Sequence, residues 1–415
     1  MKRQFKILTF LLLAGCFSAT YANPYSKSMK KLVDKSLQFS VEQSMSMNKT
    51  MINKEGQLPR TTKDGKLKTV SSKDWTSGFF PGTLWYCYEY SSDKEVRKAA
   101  ELMSARVEQE KYTTSNHDVG FIIYCSFGNG YRLTHNKAYP EIIETTAKSL
   151  CKRFNKNVGC TRSWGSMNSK EPKFTVIIDN MMNLEMLTAA TALTGNKKYQ
   201  EVAIKHADTT MKNHFRPDYS SYHVVNYNAN DGSVMSKKTS QGYADDSSWA
   251  RGQGWGLYGY TMMYRQTGKK EYLNQAIEIG KYIMNHPNMP KDKVPYWDFN
   301  APGQPDCVRD ASAAAIMASA YLELSTYVED KELSNKFFSL AELQIKSLSS
   351  KKYRAKKVGD NNNFILKHST GHFSINSEVD EPLVYADYYY VEALIRYKNI
   401  SEGHPVVEKV VRWNR

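Results

Sequence analysis

The turn Thr194-Gly-Asn-Lys-Lys-Tyr199 recurs along the chain at Thr267-Gly-Lys-Lys-Glu-Tyr272 and, less closely, at Thr134-His-Asn-Lys-Ala-Tyr139. Each copy separates two stretches in which apolar residues recur with the period of an α-helix. Gly195 and Gly268 stand where a helix ends in left-handed backbone, which glycine adopts without strain. The repeat therefore predicts a chain built from helix–turn–helix units.

The two helices of each unit differ in composition. The helix before the turn is apolar nearly all round, as at 311–324, which is typical of a helix buried on every side. The helix after the turn is amphipathic, with Tyr199, Ala203 and His206 on one face, so it covers the outside. Inner helices are predicted near 77–90, 118–133, 179–193, 247–266, 310–327 and 387–397. Outer helices follow the first five, and another is available at 28–47. The pattern predicts an all-α fold, an (α/α)6 barrel of six inner and six outer helices.

Residues 1–22 have the features of an export signal, a basic start followed by an apolar stretch that is too short to span a bilayer. Two endings compete. Leu13-Ala-Gly-Cys16 resembles a bacterial lipoprotein box, which would place a lipid anchor on Cys16, whereas an ordinary signal would be cleaved after Ala22. We expect an exported, periplasmic protein in which residues 23–415 form a single catalytic domain.

The net charge indicates an anionic partner. Lys and Arg outnumber Asp and Glu by 57 to 42, which gives a formal net charge of +15. Nucleic acid is the usual partner of so basic a chain, but export argues against it, whereas acidic oligosaccharides suit both observations. The chain has no H-E-x-x-H, no glycine-rich phosphate loop, no G-x-S-x-G elbow and no C-x-x-C pair. We therefore expect neither a metal nor a cofactor.

Four acids stand at or near the starts of inner helices: Asp118, Asp179, Asp310 and Asp387. Parallel inner helices would bring all four to one end of the barrel. Aspartate is also a preferred helix cap, which explains such positions without any catalytic role. Asp179 stands out because the apolar run 176–178 precedes it and should bury its carboxyl and raise its pKa. Asp118 stands out because a histidine precedes it.

The segment 241–255 has the densest group of candidate binding side chains. Arg251 lies between Trp249 and Trp255 at helical spacing. A guanidinium can hold a carboxylate through two hydrogen bonds, and an indole can stack on a sugar ring. In the alternative interpretation both tryptophans pack the barrel wall and Arg251 pairs with an aspartate.

Six segments together are similar to the unsaturated glucuronyl hydrolases of glycoside hydrolase family 88. They are Asp74-Trp-Thr-Ser-Gly-Phe-Phe-Pro-Gly-Thr-Leu-Trp85, Asn116-His-Asp118-Val-Gly, Ile178-Asp179-Asn-Met-Met-Asn-Leu, Ser248-Trp-Ala-Arg251-Gly-Gln-Gly-Trp255, Ser369-Thr-Gly-His-Phe-Ser-Ile-Asn and Tyr385-Ala-Asp-Tyr-Tyr. The resemblance covers nearly all of the chain beyond the signal and implies the same α/α six-hairpin barrel.

The resemblance also implies a reaction. Such enzymes act on fragments left by polysaccharide lyases, whose terminal uronic acid has a 4,5-double bond. Asp179 would be the general acid/base that donates a proton to C4 and helps water add at C5, and Asp118 would hold the sugar hydroxyls. The expected partner is an anionic unsaturated oligosaccharide of the glycosaminoglycan type. His223 would tune the protonation of Asp179. The substrate-binding residues implied by the resemblance are Trp75, His117, Trp164, His223, Thr239, Gln241, Trp249, Arg251, Trp255, Ser369 and His372.

One segment departs from the pattern of relatives that accept sulfated chains, which carry Ser-x-x-Ser-x-Lys. The matching stretch here, Ser369-Thr-Gly-His372-Phe-Ser374, keeps the first serine and lacks the lysine. The preferred sulfation pattern is therefore open. Three alternatives remain at this point: an unsaturated rhamnogalacturonyl hydrolase acting on pectin fragments, a sugar epimerase or isomerase on a similar barrel, and a non-catalytic glycan-binding lipoprotein.

Overall fold

The computed structural model describes residues 25–408, and within them two concentric layers of helices form a barrel. The outer helices are α1 (Lys27–Met51), α3 (Lys94–Ala105), α6 (Tyr139–Cys151), α8 (Lys197–Asn213), α10 (Lys270–Asn285) and α12 (Lys331–Leu348). The inner helices are α2 (Phe79–Ser91), α4 (Val119–Ile123) with α5 (Asn129–Thr134), α7 (Asn180–Thr194), α9 (Ala250–Thr267), α11 (Ala311–Ser325) and α13 (Val384–Glu402). A π-helical turn, Tyr124–Gly128, joins α4 to α5 into one inner element. The predicted (α/α)6 barrel is confirmed.

The repeated turn has the backbone that its glycines predict. Gly195 ends α7 with φ 77° and Gly268 ends α9 with φ 69°, both left-handed. In the third copy His135 takes the same position with φ 51°. The Asn196 side chain accepts a hydrogen bond from the backbone N–H of Lys198, which caps the following outer helix. Each turn thus stops one helix and starts the next within a few residues.

Burial separates the two layers as predicted. Every residue of α11 is buried, so this helix is enclosed by its neighbours. In α8 the buried residues fall on one stripe that includes Tyr199, Ala203 and His206. His206 Nδ1 accepts the backbone N–H of Thr161 at 3.1 Å, so this histidine belongs to the core.

Short strands, which helical periodicity does not predict, interrupt the helices. Two-stranded antiparallel sheets are formed by β1 (Gln57–Lys63) with β2 (Lys66–Ser71), β3 (Phe154–Asn155) with β4 (Cys160–Thr161), and β8 (Ser369–His372) with β9 (Ser377–Glu381). A three-stranded sheet has the order β5 (Lys173–Ile177), β6 (Val224–Asn228) and β7 (Val234–Lys238). Strand β5 leads directly into α7, and β9 lies two residues before α13, so these sheets flank the starts of inner helices.

The predicted export signal and Cys16 lie outside the described residues. No helix within residues 25–408 is both long and apolar enough to cross a bilayer. The cysteines in this part of the chain, of which Cys87, Cys125 and Cys160 are buried, are all free thiols.

Candidate active site

The starts of the inner helices meet at one end of the barrel. Trp75, just before α2, has its ring 4.9 Å from that of Tyr385 at the start of α13. In α9, Arg251 Nη1 lies 2.9 Å from Asp310 Oδ2, at the start of α11. Parallel inner helices therefore gather the polar segments that precede them, as predicted.

Hydrogen bonding separates Asp118 and Asp179 from the other two acids at the helix starts. Asp310 caps α11, since its carboxylate accepts the backbone N–H of Ser312. Asp387 accepts two backbone N–H groups of a neighbouring loop at 2.8 Å. The carboxylates of Asp118 and Asp179 make no such cap hydrogen bond, although each residue stands at a helix start. Capping thus accounts for Asp310, and Asp387 anchors a loop, but neither role explains Asp118 or Asp179.

Asp179 occupies an environment that favours the protonated carboxyl. The strand before it is buried at Val176 and Ile177, and the carboxyl side chain itself is only 11% exposed. Burial raises the pKa of Asp179 to about 7, the positive charge of Arg251 opposes that rise, and the negative charge of Asp118 adds to it. A carboxyl that holds its proton near neutral pH can act as a general acid.

Asp118 is the second carboxyl of the site. Burial raises its pKa to about 7, with the charge of Asp74 adding to the rise and that of Arg153 opposing it. His117 Nε2 lies 3.3 Å from Asp118 Oδ1. Burial lowers the pKa of His117 to about 3, so this imidazole is neutral and contributes no charge to the carboxyl. Two interacting carboxyls titrate as a pair.

A glycine sets the spacing of the two helices that present these carboxyls. A Cβ on Gly120 would lie 2.7 Å from the Asn183 Cα and 2.5 Å from its Oδ1, closer than atoms approach. The Asn183 Oδ1 instead accepts the backbone N–H of Phe121 at 2.9 Å. The backbone of α4 therefore packs against the Asn183 side chain of α7, close to Asp118 and Asp179.

His223 is held as a neutral hydrogen-bond donor. Its Nδ1 accepts the backbone N–H groups of Ser240 and Gln241, each at 3.1 Å, so the hydrogen must reside on Nε2. Nε2 faces Asp179 Oδ2 at 3.7 Å. Burial and the charge of Arg251 lower the pKa of His223 well below its usual range. His223 can therefore orient a ligand group or Asp179 by donation, without carrying charge.

Arg251 does not offer a free fork to a carboxylate, contrary to the main prediction for it. Nη1 donates to Asp310 and to the Thr370 carbonyl at 2.5 Å, while Nη2 donates to Gln241 at 2.5 Å and to the Gly371 carbonyl at 2.7 Å. The alternative interpretation, pairing with an aspartate, is the one observed. Arg251 supplies positive charge to the site and ties α9 to α11 and β8.

The four tryptophans divide into two pairs. Trp249 is enclosed, with the His223 ring 4.4 Å away and the Arg251 guanidinium 4.6 Å from its ring centre. Trp255 is fully buried, so neither tryptophan presents a stacking face, and their contact with substrate stays a prediction. Trp164 is 40% exposed near His223, and Trp75 is half-buried, so these two rings can meet a sugar.

The remaining predicted binding residues also differ in accessibility. Ser369 is completely buried in β8, and its contact with substrate stays a prediction. His372 is half-buried, with Nε2 2.8 Å from the Ser240 carbonyl oxygen. Thr239 Oγ1 accepts the backbone N–H of Gly242 at 2.8 Å, which shapes the loop beside Gln241. His372, Thr239 and Gln241 are all partly exposed, so each can meet a ligand.

Four residues at the site were not singled out from the sequence. Arg60 in β1 donates to Asp74 at 2.6 Å and to Glu378 in β9 at 2.5 Å, which ties two hairpins to the start of α2. The buried Tyr385 hydroxyl has no hydrogen-bond partner in residues 25–408. Asp74 and Tyr385 lie in segments that carry the family resemblance, whereas Arg60 and Glu378 lie on strands that gave no signal. No three His, Cys, Asp or Glu side chains in this range are placed to hold a metal.

Fold and site together define an acid–base enzyme of the (α/α)6 barrel class, with two carboxyls of raised pKa at a site that Trp75 and Trp164 border. The model of Glycosyl Hydrolase Family 88 matches residues 43–406. An unsaturated glucuronyl hydrolase of Formosa agariphila is 47% identical over 332 residues, 80% of this chain and 82% of that protein. The chain belongs to glycosyl hydrolase family 88 and is a glycoside hydrolase of the unsaturated glucuronyl type.

Two further relatives differ in the glycan that their names give. The crystal structure of an unsaturated glucuronyl hydrolase specific for heparin superposes with a TM-score of 0.86 at 47% identity, over 90% of this chain and 98% of that one. An unsaturated chondroitin disaccharide hydrolase of Streptococcus agalactiae is 31% identical over 80% of this chain and 83% of its own.

The pKa of Asp179 predicts the pH dependence of catalysis. A general acid must be protonated, and the protonated fraction of a carboxyl with a pKa of about 7 falls as the pH rises above that value. We therefore expect kcat/KM to decline above about pH 7, approaching roughly a tenfold loss per pH unit. The measurement is the initial rate from pH 5 to 9 at low substrate concentration. A rate that keeps rising to pH 9 would contradict the assignment of Asp179 as the acid.

Proposed function

We propose that this enzyme releases a terminal 4,5-unsaturated uronic acid by hydrating its vinyl ether. The Asp179 carboxyl donates its proton to C4, and the carboxylate so formed takes a proton from the water that adds at C5. The product is a hemiketal at C5. Opening of the C5–O5 bond gives a ketone at C5 and a hemiacetal at C1, which then expels the neighbouring sugar. One water is consumed and Asp179 regains its proton.

The observation that carries this mechanism is the contrast among the acids at the helix starts. Asp179 makes no cap hydrogen bond, is buried, and has a pKa of about 7. Asp118 also makes no cap hydrogen bond and has a pKa of about 7, and in this mechanism it would accept hydrogen bonds from sugar hydroxyls. The donor on His223 Nε2 lies beside Asp179 and can orient the attacking water. No glycosyl-enzyme intermediate is needed, so the carboxylate-spacing rule for ordinary glycosidases does not apply.

We infer that the preferred substrates are heparin-type disaccharides. The relative named as specific for heparin shares 47% identity, whereas the relative named for chondroitin shares 31%. Ser374 stands where a lysine would place a fixed charge for a sulfate, and His372 stands where the pattern has its second serine. Turnover should therefore depend weakly on sulfation of the sugar next to the uronic acid.

Export to the periplasm is part of the same proposal. The basic start and short apolar stretch of residues 1–22 would direct the chain out of the cytoplasm. Outside the cytoplasm the enzyme would meet the charged oligosaccharides that lyases release. The lipoprotein box at Cys16 would anchor the enzyme to a membrane surface.

Substrate and mechanism are tested together by the loss of ultraviolet absorbance of the conjugated double bond. Purified enzyme is given unsaturated disaccharides from heparin, chondroitin, hyaluronan and pectin. We expect the fastest loss with the heparin-type disaccharide. The matched control is the same disaccharide with a saturated uronic acid, whose glycosidic bond should stay intact. Cleavage of the saturated compound would contradict vinyl-ether hydration, and faster turnover of the pectin product would favour the rhamnogalacturonyl alternative.

A further inference from the structure

A cavity of about 470 Å³ lies inside the barrel and extends toward the carboxyl ends of the inner helices. Its walls include the last turns of α2, α5, α7 and α9 and the middle of α13. A layer of aromatic rings separates it from Asp118 and Asp179. In that layer the ring of Phe121 lies 5.3 Å from that of Trp255, which lies 5.5 Å from that of Tyr389. The cavity is therefore distinct from the catalytic site, and its volume is that of a small-molecule site.

Five largely buried charges form an alternating chain along this cavity. Arg265 lies 2.6 Å from Glu185 and 3.0 Å from Glu323. Arg396 lies 3.0 Å from the other oxygen of Glu323 and 3.3 Å from Glu392. The chain begins and ends with a carboxylate, so it has one more negative than positive charge. Both end members, Glu185 and Glu392, line the cavity.

The other charges of the cavity do not supply the missing cation. Arg132 is engaged in a two-pronged pair with Glu89, at 2.9 and 2.6 Å, and the two charges cancel. Glu408 stands at the mouth, with its side chain 59% exposed, and adds negative charge. Burial raises the pKa of Glu185, so a cation bound in the cavity would stabilise its charged form.

Hydrogen bonding shows where such a cation would sit. Glu392 is already satisfied by the hydroxyls of Tyr86, Tyr258 and Ser319. Glu185 uses one oxygen for Arg265, and its second oxygen has no partner among the described residues. Tyr389, 2% exposed, also lines the cavity, and its hydroxyl has no hydrogen-bond partner within residues 25–408. Both groups can therefore accept a hydrogen bond from a ligand in the cavity.

We propose that this cavity binds a small organic cation with a primary ammonium group. The ammonium would donate to the second oxygen of Glu185 and to the Tyr389 hydroxyl. Its positive charge would balance the one excess negative charge of the chain that runs from Glu185 to Glu392. The tyrosine rings of the walls offer faces to the same cation. A primary ammonium has three N–H donors, whereas a quaternary ammonium has none and satisfies neither acceptor.

The test is isothermal titration calorimetry in phosphate buffer with ethylammonium, spermidine, tetramethylammonium and potassium chloride as probes. We expect the two primary amines to bind and the other two to bind at least about tenfold more weakly, because they lack donors. Glu185→Gln should weaken amine binding at least about tenfold, and Tyr389→Phe several-fold. Glu332→Gln, which removes a charge from an exposed position on α12, is the matched control and should bind as the wild type does.

Hydrolase activity is measured on every variant, since none of these residues touches the catalytic carboxyls. Retained activity in Glu185→Gln shows that lost binding is not unfolding, and Tyr389→Phe tests the site without altering a charge. The proposal is overturned if neither primary amine binds, if potassium or tetramethylammonium binds as tightly, or if Glu185→Gln binds amines as the wild type does. It does not depend on which glycan the enzyme hydrolyses.

Discussion

Asp179→Asn is expected to lower kcat by about a thousandfold, with little change in KM. Asparagine keeps the shape of the side chain and its place beside His223, but it cannot donate a proton to C4 or accept one from water. Positioned proton transfer contributes about 10²–10⁴-fold to a rate. The measurement is the rate of absorbance loss on the preferred unsaturated disaccharide, over a range of concentrations.

The control is Asp330→Asn, which alters an aspartate that caps an exposed helix start on α12. Asparagine caps as well as aspartate does, so this variant should retain full activity. If Asp179→Asn kept a tenth or more of the wild-type kcat, Asp179 would not be the proton donor. If Asp330→Asn lost activity, the loss could not be ascribed to catalysis.

Asp179→Asn, which lowers activity, is expected to raise thermal stability above neutral pH. The pKa of Asp179 rises from its ordinary 3.8 to about 7 on folding, so the folded protein holds a proton that the unfolded chain releases. Wild-type stability therefore falls as the pH rises from about 4 through 7, whereas the asparagine variant has no proton to lose. We expect the Tm of Asp179→Asn to exceed that of the wild type by a few degrees at pH 8 and to match it more closely at pH 4.5. A lower Tm at pH 8 would contradict the buried, proton-holding carboxyl.

The fold was predictable because its information is local. The apolar period, the all-round apolar composition of α11 and the glycines at 195 and 268 each act within one or two helical turns. The strands were not predictable in this way, because β5 has partners on β6 far along the chain. Their register depends on the barrel being already formed. The π turn within the second inner element likewise has no local marker.

The sequence predicted which residues lie near the site better than it predicted what each residue does there. Neighbouring residues in the sequence favoured Asp118 and Asp179 among the four helix starts with an aspartate, and the hydrogen-bond partners then distinguish these two from the Asp310 cap. Arg251 was the strongest candidate for holding a carboxylate, yet its donors are taken by Asp310, Gln241 and two carbonyls. Long-range partners of this kind leave no trace in spacing. Tryptophans next to an arginine therefore indicate a site without showing which ring faces the ligand.

The pairing of Arg251 with Asp310 predicts a large effect on stability. Both side chains are almost completely buried, and the guanidinium also holds the carbonyls of Thr370 and Gly371. Asp310→Asn keeps a cap for α11 but turns the partner of Arg251 into a neutral amide. Removing one member of a buried pair leaves the other charge uncompensated, so we expect the free energy of unfolding to fall by about 3 kcal/mol or more. Denaturant titration at pH 7, followed by circular dichroism, measures it.

A second variant distinguishes lost charge pairing from lost packing. Arg251→Met combined with Asp310→Asn removes both charges and keeps the cap, so part of the lost stability should return, because a buried pair can be replaced by neutral groups at little cost. Activity should not return with it, since Asp179 would lack the positive charge that moderates its pKa and β8 would lose its anchor. If the free energy of unfolding of Asp310→Asn lies within about 1 kcal/mol of the wild-type value, the ion pair does not hold α9, α11 and β8 together at the site. If the double variant is as unstable as Asp310→Asn, the lost stability comes from packing, and Arg251 stabilises the site by its packing and not by its charge.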